Sequence, residues 1–455
     1  MRWGDWVWSL HALYEATGED WLLEAAERAQ QQGFDWDHQF SVDMPKERTS
    51  VKGNSWDLNL TMHGVNNAMG VKCGGVWWRQ SQNDADKQAS FFALEQLDKY
   101  HGQANGMFSG DEHLAGRSPV QGTETCTVVE LMFSLETLLA ATGEPALADR
   151  LETVAFNALP GSMTKDMWAR QYDQQPNQVL CTEAKRDWVS NGPTSNLFSF
   201  LGHFGCCTAN LHQGWPKFAG HTWMKARNGF ALISPVPGLV ETELDGKKVE
   251  FLVQSEYPFR DTAQIFYGGE DATFALHIRV PAWAQGASAR IGDEKFELES
   301  GTFAVIERQW RGGDKLELHF PLPVRLEKRE EGTSTVWRGP VLFGLKIGEE
   351  ISLVSGEPPH ADYEVLPTTA WNYALVPEVS RFEIKETTIS SRPFEARQFP
   401  VILNAPAHLI PEWGLENDSA AVPPTSPVAT TQPEVTVNLV PYGSTHLRIS
   451  EFPTI

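Results

Sequence analysis

Apolar residues recur at helical spacing through the first half of the chain and alternate with polar ones through the next. In "WSLHALYEATGEDWLLEAAERAQ", residues 8–30, the helical period continues on both sides of Thr17-Gly18. Gly18 suits the left-handed stop of one helix, and Glu19 and Asp20 suit the electropositive start of the next. The device returns in "MFSLETLLAATGEPALADRLETVAFN", with Thr142-Gly143 followed by Pro145 at a helical first turn. Two helical hairpins joined by the same "ATGE" read as repeats of one unit. "WDLNLTMHGVNNAMGVKCGGVWW" and "DADKQASFFALEQLDKYHG" between them predict further helices. Stacked helical hairpins point to a solenoid or an (α/α) toroid.

The period changes near residue 225. "GFALISPV", "KKVEFLVQSEY", "ATFALHIRV", "TFAVIERQW" and "DKLELHFPLPVRLEK" alternate and are broken by Gly, Asp and Pro, which predicts antiparallel strands and a β-sandwich. From residue 347 the signal weakens. "SAAVPPTSPVATTQPE" reads as a polar loop, and "EVTVNLVPYG" and "THLRISEF" as closing strands. The expected division is a helical domain over 1–225, a β-sandwich over 226–346 and a β-rich unit or sandwich extension over 347–455.

A chain of 455 residues exceeds one small core, which agrees with several domains. Net charge is -22, from 37 Lys+Arg against 59 Asp+Glu, so neither nucleic acid nor an anionic membrane is an expected partner. No apolar run approaches a transmembrane span of about 20 residues. Seventeen tryptophans are a weak pointer to sugar stacking, because Trp is more often core. Five cysteines are too few for a disulfide framework. Reduced thiols lean towards the cytoplasm without deciding location.

The candidate chemistry lies in "HFGCCTANLHQGWPKF" and "GDEHLAGRSPVQGTETCTVVELMF". Adjacent Cys206 and Cys207 are a poor disulfide, since neighbouring Cα atoms stand about 3.8 Å apart and a relaxed bridge needs about 4.4–6.8 Å. They are two idle thiols, a redox pair, or two thiolates on one metal. Glu124 and Cys126, as Glu-x-Cys at a helix start, would complete a one-carboxylate, three-thiol zinc set if the fold brings them there. The plainer reading makes Cys126 a buried apolar residue and Glu124 a first-turn helix acid. Cys73 and Cys181 have no such company. Trp215 either lines a pocket or belongs to a helix-ending turn, and His113, His203 and His212 carry no assigned role.

"GMFSGDEHLAGRSPVQGTETCTVVE", "RQYDQQPNQV" and "GHFGCCTANLHQGWPKF" resemble glycoside hydrolase family 127, the β-L-arabinofuranosidase family. The similarity extends through "PVPGLVETEL" to "VPYGSTHLRISEFP". It implies an (α/α)6 catalytic barrel followed by β-sandwich domains, and a retaining glycosidase in which a zinc-bound cysteine replaces the usual carboxylate nucleophile. Carried onto this chain, Cys206 is the nucleophile, and Glu124, Cys126, Cys206 and Cys207 are the Zn2+ ligands. Glu112 is the general acid/base, and His63, Glu152 and Tyr172 contact the sugar. The expected substrate carries β-L-arabinofuranose or a related sugar of plant cell-wall glycans or glycoproteins.

Family members carry about half of their barrel before the point where this chain begins. The resemblance therefore implies a barrel lacking its N-terminal part, since twelve helices of about 11–15 residues plus loops do not fit into 225 residues. Exposed barrel helices would leave an apolar face that favours a homodimer. Two other functions compete with hydrolysis: glycan binding around a closed, structural zinc, and thiol redox chemistry at Cys206-Cys207.

Overall fold

The computed structural model describes residues 1–49, 59–184, 186, 192–201, 204–329, 332–395 and 398–455. Residues 56–58 of a predicted helical stretch, and His203, lie outside these.

Helices run over Trp3–Thr17, Trp21–Gln31, Gly64–Gly70, Cys73–Ser81, Asp84–His101, Thr125–Thr142, Pro145–Thr153, Gly205–Leu211 and Gly214–Gly220, with shorter turns between. Both "ATGE" hairpins form. Gly18 has φ +72° and donates its N–H to the Tyr14 carbonyl at 2.7 Å. Gly143 repeats this with φ +68° and the Leu139 carbonyl at 2.8 Å. A side chain at either φ would be strained, which is why glycine stands there.

The hub is Thr125–Thr142. It packs against Gly64–Gly70, Cys73–Ser81, Pro145–Thr153, Gly205–Leu211 and Gly214–Gly220. By length and composition it could cross a membrane, but most of it is buried in the helical domain. Val128, Leu131, Leu135 and Leu138 are fully buried, each worth about 1.5–3 kcal/mol against exposure. Cys126 lies in its first turn, and the helix it packs against at Gly205–Leu211 carries Cys206 and Cys207. Packing of these two helices thus closes the gap of 81 residues between Cys126 and Cys207.

After Gly220 the chain is β. A six-stranded sheet has the order Glu294–Glu297, Ser288–Ile291, Lys315–His319, Thr262–Tyr267, Lys247–Ser255, Gly238–Leu244. A four-stranded sheet has the order Thr302–Trp310, Ala272–Val280, Gly229–Leu232, Trp223–Ala226. Phe251 and Tyr267 of the first sheet meet Phe230, Phe274 and Trp310 of the second, as inward residues of a sandwich do. The pairing is antiparallel except between Ala272–Val280 and Gly229–Leu232, which run parallel. At Gly229 a Cβ would fall 1.9 Å from the Ala275 carbonyl oxygen, so only glycine permits that approach.

A seven-stranded sheet contains Val324–Lys328, Ser334–Arg338, Val341–Leu345, Glu434–Pro441, Val401–Leu409 and Tyr373–Leu375 in order, with Glu383–Glu386 on Val401–Leu409. The predicted strand "THLRISEF" is not one. Residues 445–452 form a buried extended segment with isolated bridges to Gln178 and Ser334. Its backbone is satisfied partly by those bridges and partly by side chains: Asn177 Oδ1 accepts the N–H groups of Ser450 and Glu451, each at 2.9 Å. Leu447, Ile449 and Phe452 give it a strand-like pattern because they are buried in the same core. A hairpin, Glu349–Glu357 with His360–Pro367, returns to the helical domain and pairs with Phe198–Ser199.

Candidate active site

A small sheet inside the helical domain presents the acids. Its strand order is His113–Leu114, Gly110–Asp111, Thr123–Glu124, Asp173–Gln174. Glu112 is the turn of the hairpin and has φ +89°, a conformation a glutamate adopts only under external constraint. The constraints are visible. Gly64 N–H donates to the Glu112 carbonyl at 2.8 Å, and a Cβ on Gly64 would press on Thr127 Oγ1 at 3.0 Å. His101 holds both ends of the hairpin: its carbonyl accepts Ser109 N–H at 2.8 Å and its Nδ1 accepts Gly116 N–H at 2.9 Å. Its Nε2 meets the Pro45 carbonyl at 2.8 Å, which fixes the Nε2–H tautomer. Burial pushes the His101 imidazole down to about 4, so it stays neutral.

Around Glu112, Tyr172 O–H donates to Oε2 at 2.7 Å and His63 Nε2 lies 3.6 Å from Oε1. His63 also lies 3.9 Å from Glu124 Oε2. Burial pushes the Tyr172 phenol well up, so it remains a donor. Beyond Glu124, donor atoms of Glu124, Cys126, Cys206 and Cys207 all lie within 4.8 Å of one another. Cys126 Sγ is 3.3 Å from Cys207 Sγ, Cys206 Sγ is 4.0 Å from Cys207 Sγ, and Glu124 Oε1 is 3.9 Å from Cys207 Sγ.

These spacings fit one tetrahedral ion. Four donors about 2.3 Å from a zinc stand about 3.8 Å apart. The four groups also shift one another's ionisation. Cys206, stabilised by the thiols of Cys126 and Cys207, falls to about 3. Glu124 is pushed up to about 8 by burial, then by Cys206 and Glu112. Cys126 rises because its thiol donates to Cys206, and Cys207 rises through burial. Glu124, Cys126 and Cys207 thus resist ionisation, while Cys206 favours it. Glu124 Oε2 is buried with no hydrogen-bond partner.

Cys206 is exposed while Glu124, Cys126 and Cys207 are buried. Arg170 holds the chain on both sides of Cys206, donating to the Leu201 carbonyl at 2.8 Å, the Phe204 carbonyl at 2.6 Å and Thr208 Oγ1 at 2.9 Å. Cys73 and Cys181 are buried elsewhere, each pushed up to about 12 by burial.

The structure gathers seven of the eight predicted site residues and separates one. Glu152, expected at the sugar, is buried in an ion pair with Arg279, and accepts hydrogen bonds from Ser234 at 2.6 Å and Tyr257 at 2.7 Å. With its side chain 1% exposed and these oxygens engaged, it has nothing left for a ligand. Trp215 donates to the Ala155 carbonyl and lines an apolar cavity of about 420 Å3 with Phe156, Phe218 and Phe394, none of them in the cluster. His113 is buried and its backbone bridges His63. Sequence reasoning missed His101 and Arg170. Arg170 stands two residues before Tyr172 in a quoted motif, but nothing in its spacing marks a loop staple.

Two family models match the chain. The "Beta-L-arabinofuranosidase, GH127 catalytic domain" covers residues 4–220, and the "Beta-L-arabinofuranosidase, GH127 middle domain" covers residues 236–322. The chain belongs to glycoside hydrolase family 127. It is a glycoside hydrolase of the β-L-arabinofuranosidase type. Solved structures agree in fold. A family 127 β-L-arabinofuranosidase from Geobacillus stearothermophilus T6 superposes with TM-score 0.69 at 19% identity, over 97% of this chain and 70% of that one. A structure titled "Glycoside hydrolase" gives TM-score 0.72 at 16% identity, over 97% and 73%. The family 127 β-arabinofuranosidase BT3674 gives 0.68 at 15% identity, over 98% and 68%. No curated protein matches the sequence.

Proposed function

We propose that this family 127 member is a zinc-dependent retaining glycosidase with Cys206 as nucleophile and Glu112 as general acid/base. Its substrate class is β-L-arabinofuranosides, or a related sugar, of plant cell-wall glycans or glycoproteins. The observation that carries the reading is the asymmetry of the cluster: three donors are buried and the fourth, Cys206, is open to solvent. A purely structural four-ligand site has no need of an exposed donor.

Glu124, Cys126, Cys206 and Cys207 would hold the zinc, which when bound keeps coordinating thiols as thiolates without a dedicated base. The Cys206 thiolate attacks the anomeric carbon, the bond to the leaving oxygen breaks, and Glu112 gives that oxygen its proton. A thioglycoside on Cys206 results. Glu112, now ionised, takes a proton from water; the water attacks the anomeric carbon and Cys206 leaves as thiolate. Two inversions give net retention. Tyr172 and His63 hold the Glu112 carboxyl in place for both proton transfers.

The test is metal content and hydrolysis of p-nitrophenyl β-L-arabinofuranoside for the wild type and Cys206→Ser. The reading expects about one zinc per wild-type chain, and no turnover in whatever fraction of Cys206→Ser stays folded and loaded. A folded, reduced wild type without zinc contradicts it.

A further inference from the structure

The proposed chemistry uses Tyr172 but leaves the aromatic residues along the chain beside it unexplained. Tyr172 stacks on Phe204 with ring centroids 4.2 Å apart. Two residues before Tyr172, Arg170 pairs with Ser199 through both backbone bonds, at 3.0 and 2.9 Å. Two residues before that is Trp168, 48% exposed. Its ring meets His360 edge-on at 5.4 Å, and His360 lies 4.8 Å from the ring of Phe200. His360 begins the strand whose Asp362 and Tyr363 pair with Ser199 and Phe198. The C-terminal region therefore reaches back to buttress the aromatic cluster. Four residues of chain span at most about 14 Å between the Cα atoms of Trp168 and Tyr172, so Trp168 stands on the same short segment as the tyrosine that holds the Glu112 carboxyl.

We infer that Trp168, supported by His360 and Phe200, is a subsite for the leaving-group side of a neutral glycan. Resting on the function proposed above, it deepens that reading by naming what lies beyond the cleaved bond. An exposed tryptophan whose ring is held edge-on by His360 offers a fixed aromatic face. The apolar CH face of a sugar ring suits an aromatic face, and its hydroxyls remain solvated at the rim. Neutral sugars are favoured because the chain carries a net charge of -22, which repels acidic polysaccharides.

The experiment compares kcat/KM for a methyl β-L-arabinofuranoside and for an oligosaccharide ending in the same sugar, in wild type, Trp168→Ala and Trp168→Phe. The inference expects the oligosaccharide-to-methyl ratio to fall about tenfold in Trp168→Ala, through KM, and to recover in Trp168→Phe. An unchanged ratio in Trp168→Ala overturns it. Should the wild type hydrolyse neither substrate, the function above fails, and calorimetric titration with the oligosaccharide decides the subsite separately. Affinity lost in Trp168→Ala and kept in Trp168→Phe supports it; equal affinity in all three, or none in the wild type, overturns it.

Discussion

Glu124 and Glu152 are two glutamates of one domain, both fully buried and both pushed up by burial. Glu152 has Arg279, Ser234 and Tyr257 around it, and both its oxygens are engaged. Glu124 has three cysteines and a second glutamate nearby, a histidine at 3.9 Å, and one oxygen without a hydrogen-bond partner. One environment is complete without any ligand. The other is a cluster of one carboxylate and three thiols that could hold a metal ion. Burial alone therefore does not mark function; the unsatisfied remainder does. The same contrast separates Cys206 from Cys181, which is fully buried, rests against Gln171 and has no second thiol at hand.

The sharpest way to break the comparison is at the acid beside the cluster. Glu112→Gln keeps the shape and the Tyr172 contact but cannot cycle a proton. Its kcat should fall by about 10²–10⁴-fold with metal content unchanged. Full activity in this variant would remove Glu112 from the chemistry.

Glu152 tests the other side. Removing Glu152 leaves Arg279 with Asp149 as its ion-pair partner but strips the buried Ser234 and Tyr257 hydroxyls of their acceptor, at about 1–3 kcal/mol. Glu152→Ala should lose that much in urea unfolding, with KM unaltered in the folded fraction. A raised KM with intact stability would return Glu152 to the sugar.

A smaller effect concerns His101, which anchors the Glu112 hairpin. Its folded value of about 4 lies below the ordinary histidine value near 6.5, so in that interval the unfolded chain binds a proton that the folded chain does not. Its contribution is complete above about pH 6.5 and is lost as pH falls towards 4, reaching about 3 kcal/mol. Stability against pH should therefore slope down in acid, and His101→Gln should flatten the slope. An identical slope in that variant would show that other groups set it.

Much of this was legible in the chain. Gly18 and Gly143 announced their hairpins because few other residues accept that backbone, and the alternating strands from residue 229 onward announced the sandwich. Glu-x-Cys with a distant Cys-Cys announced the cluster. Glu152 was misread because its motif says nothing about Arg279, 127 residues further on. The segment 445–452 was misread because alternation reports burial, and side chains such as Asn177 can replace a neighbouring strand. His101 and Arg170 act through backbone carbonyls and N–H groups, and those contacts leave no pattern in the sequence.

The central claim is the covalent role of Cys206, and trapping tests it most directly. Glu112→Gln, given an aryl β-L-arabinofuranoside whose leaving group needs no acid, should form the glycosyl-enzyme and fail to hydrolyse it. Intact-protein mass spectrometry should then show one added pentosyl group, and peptide mapping should place it on Cys206. Turnover by the wild type, with no adduct in the variant or with the adduct on a carboxylate, would contradict the account.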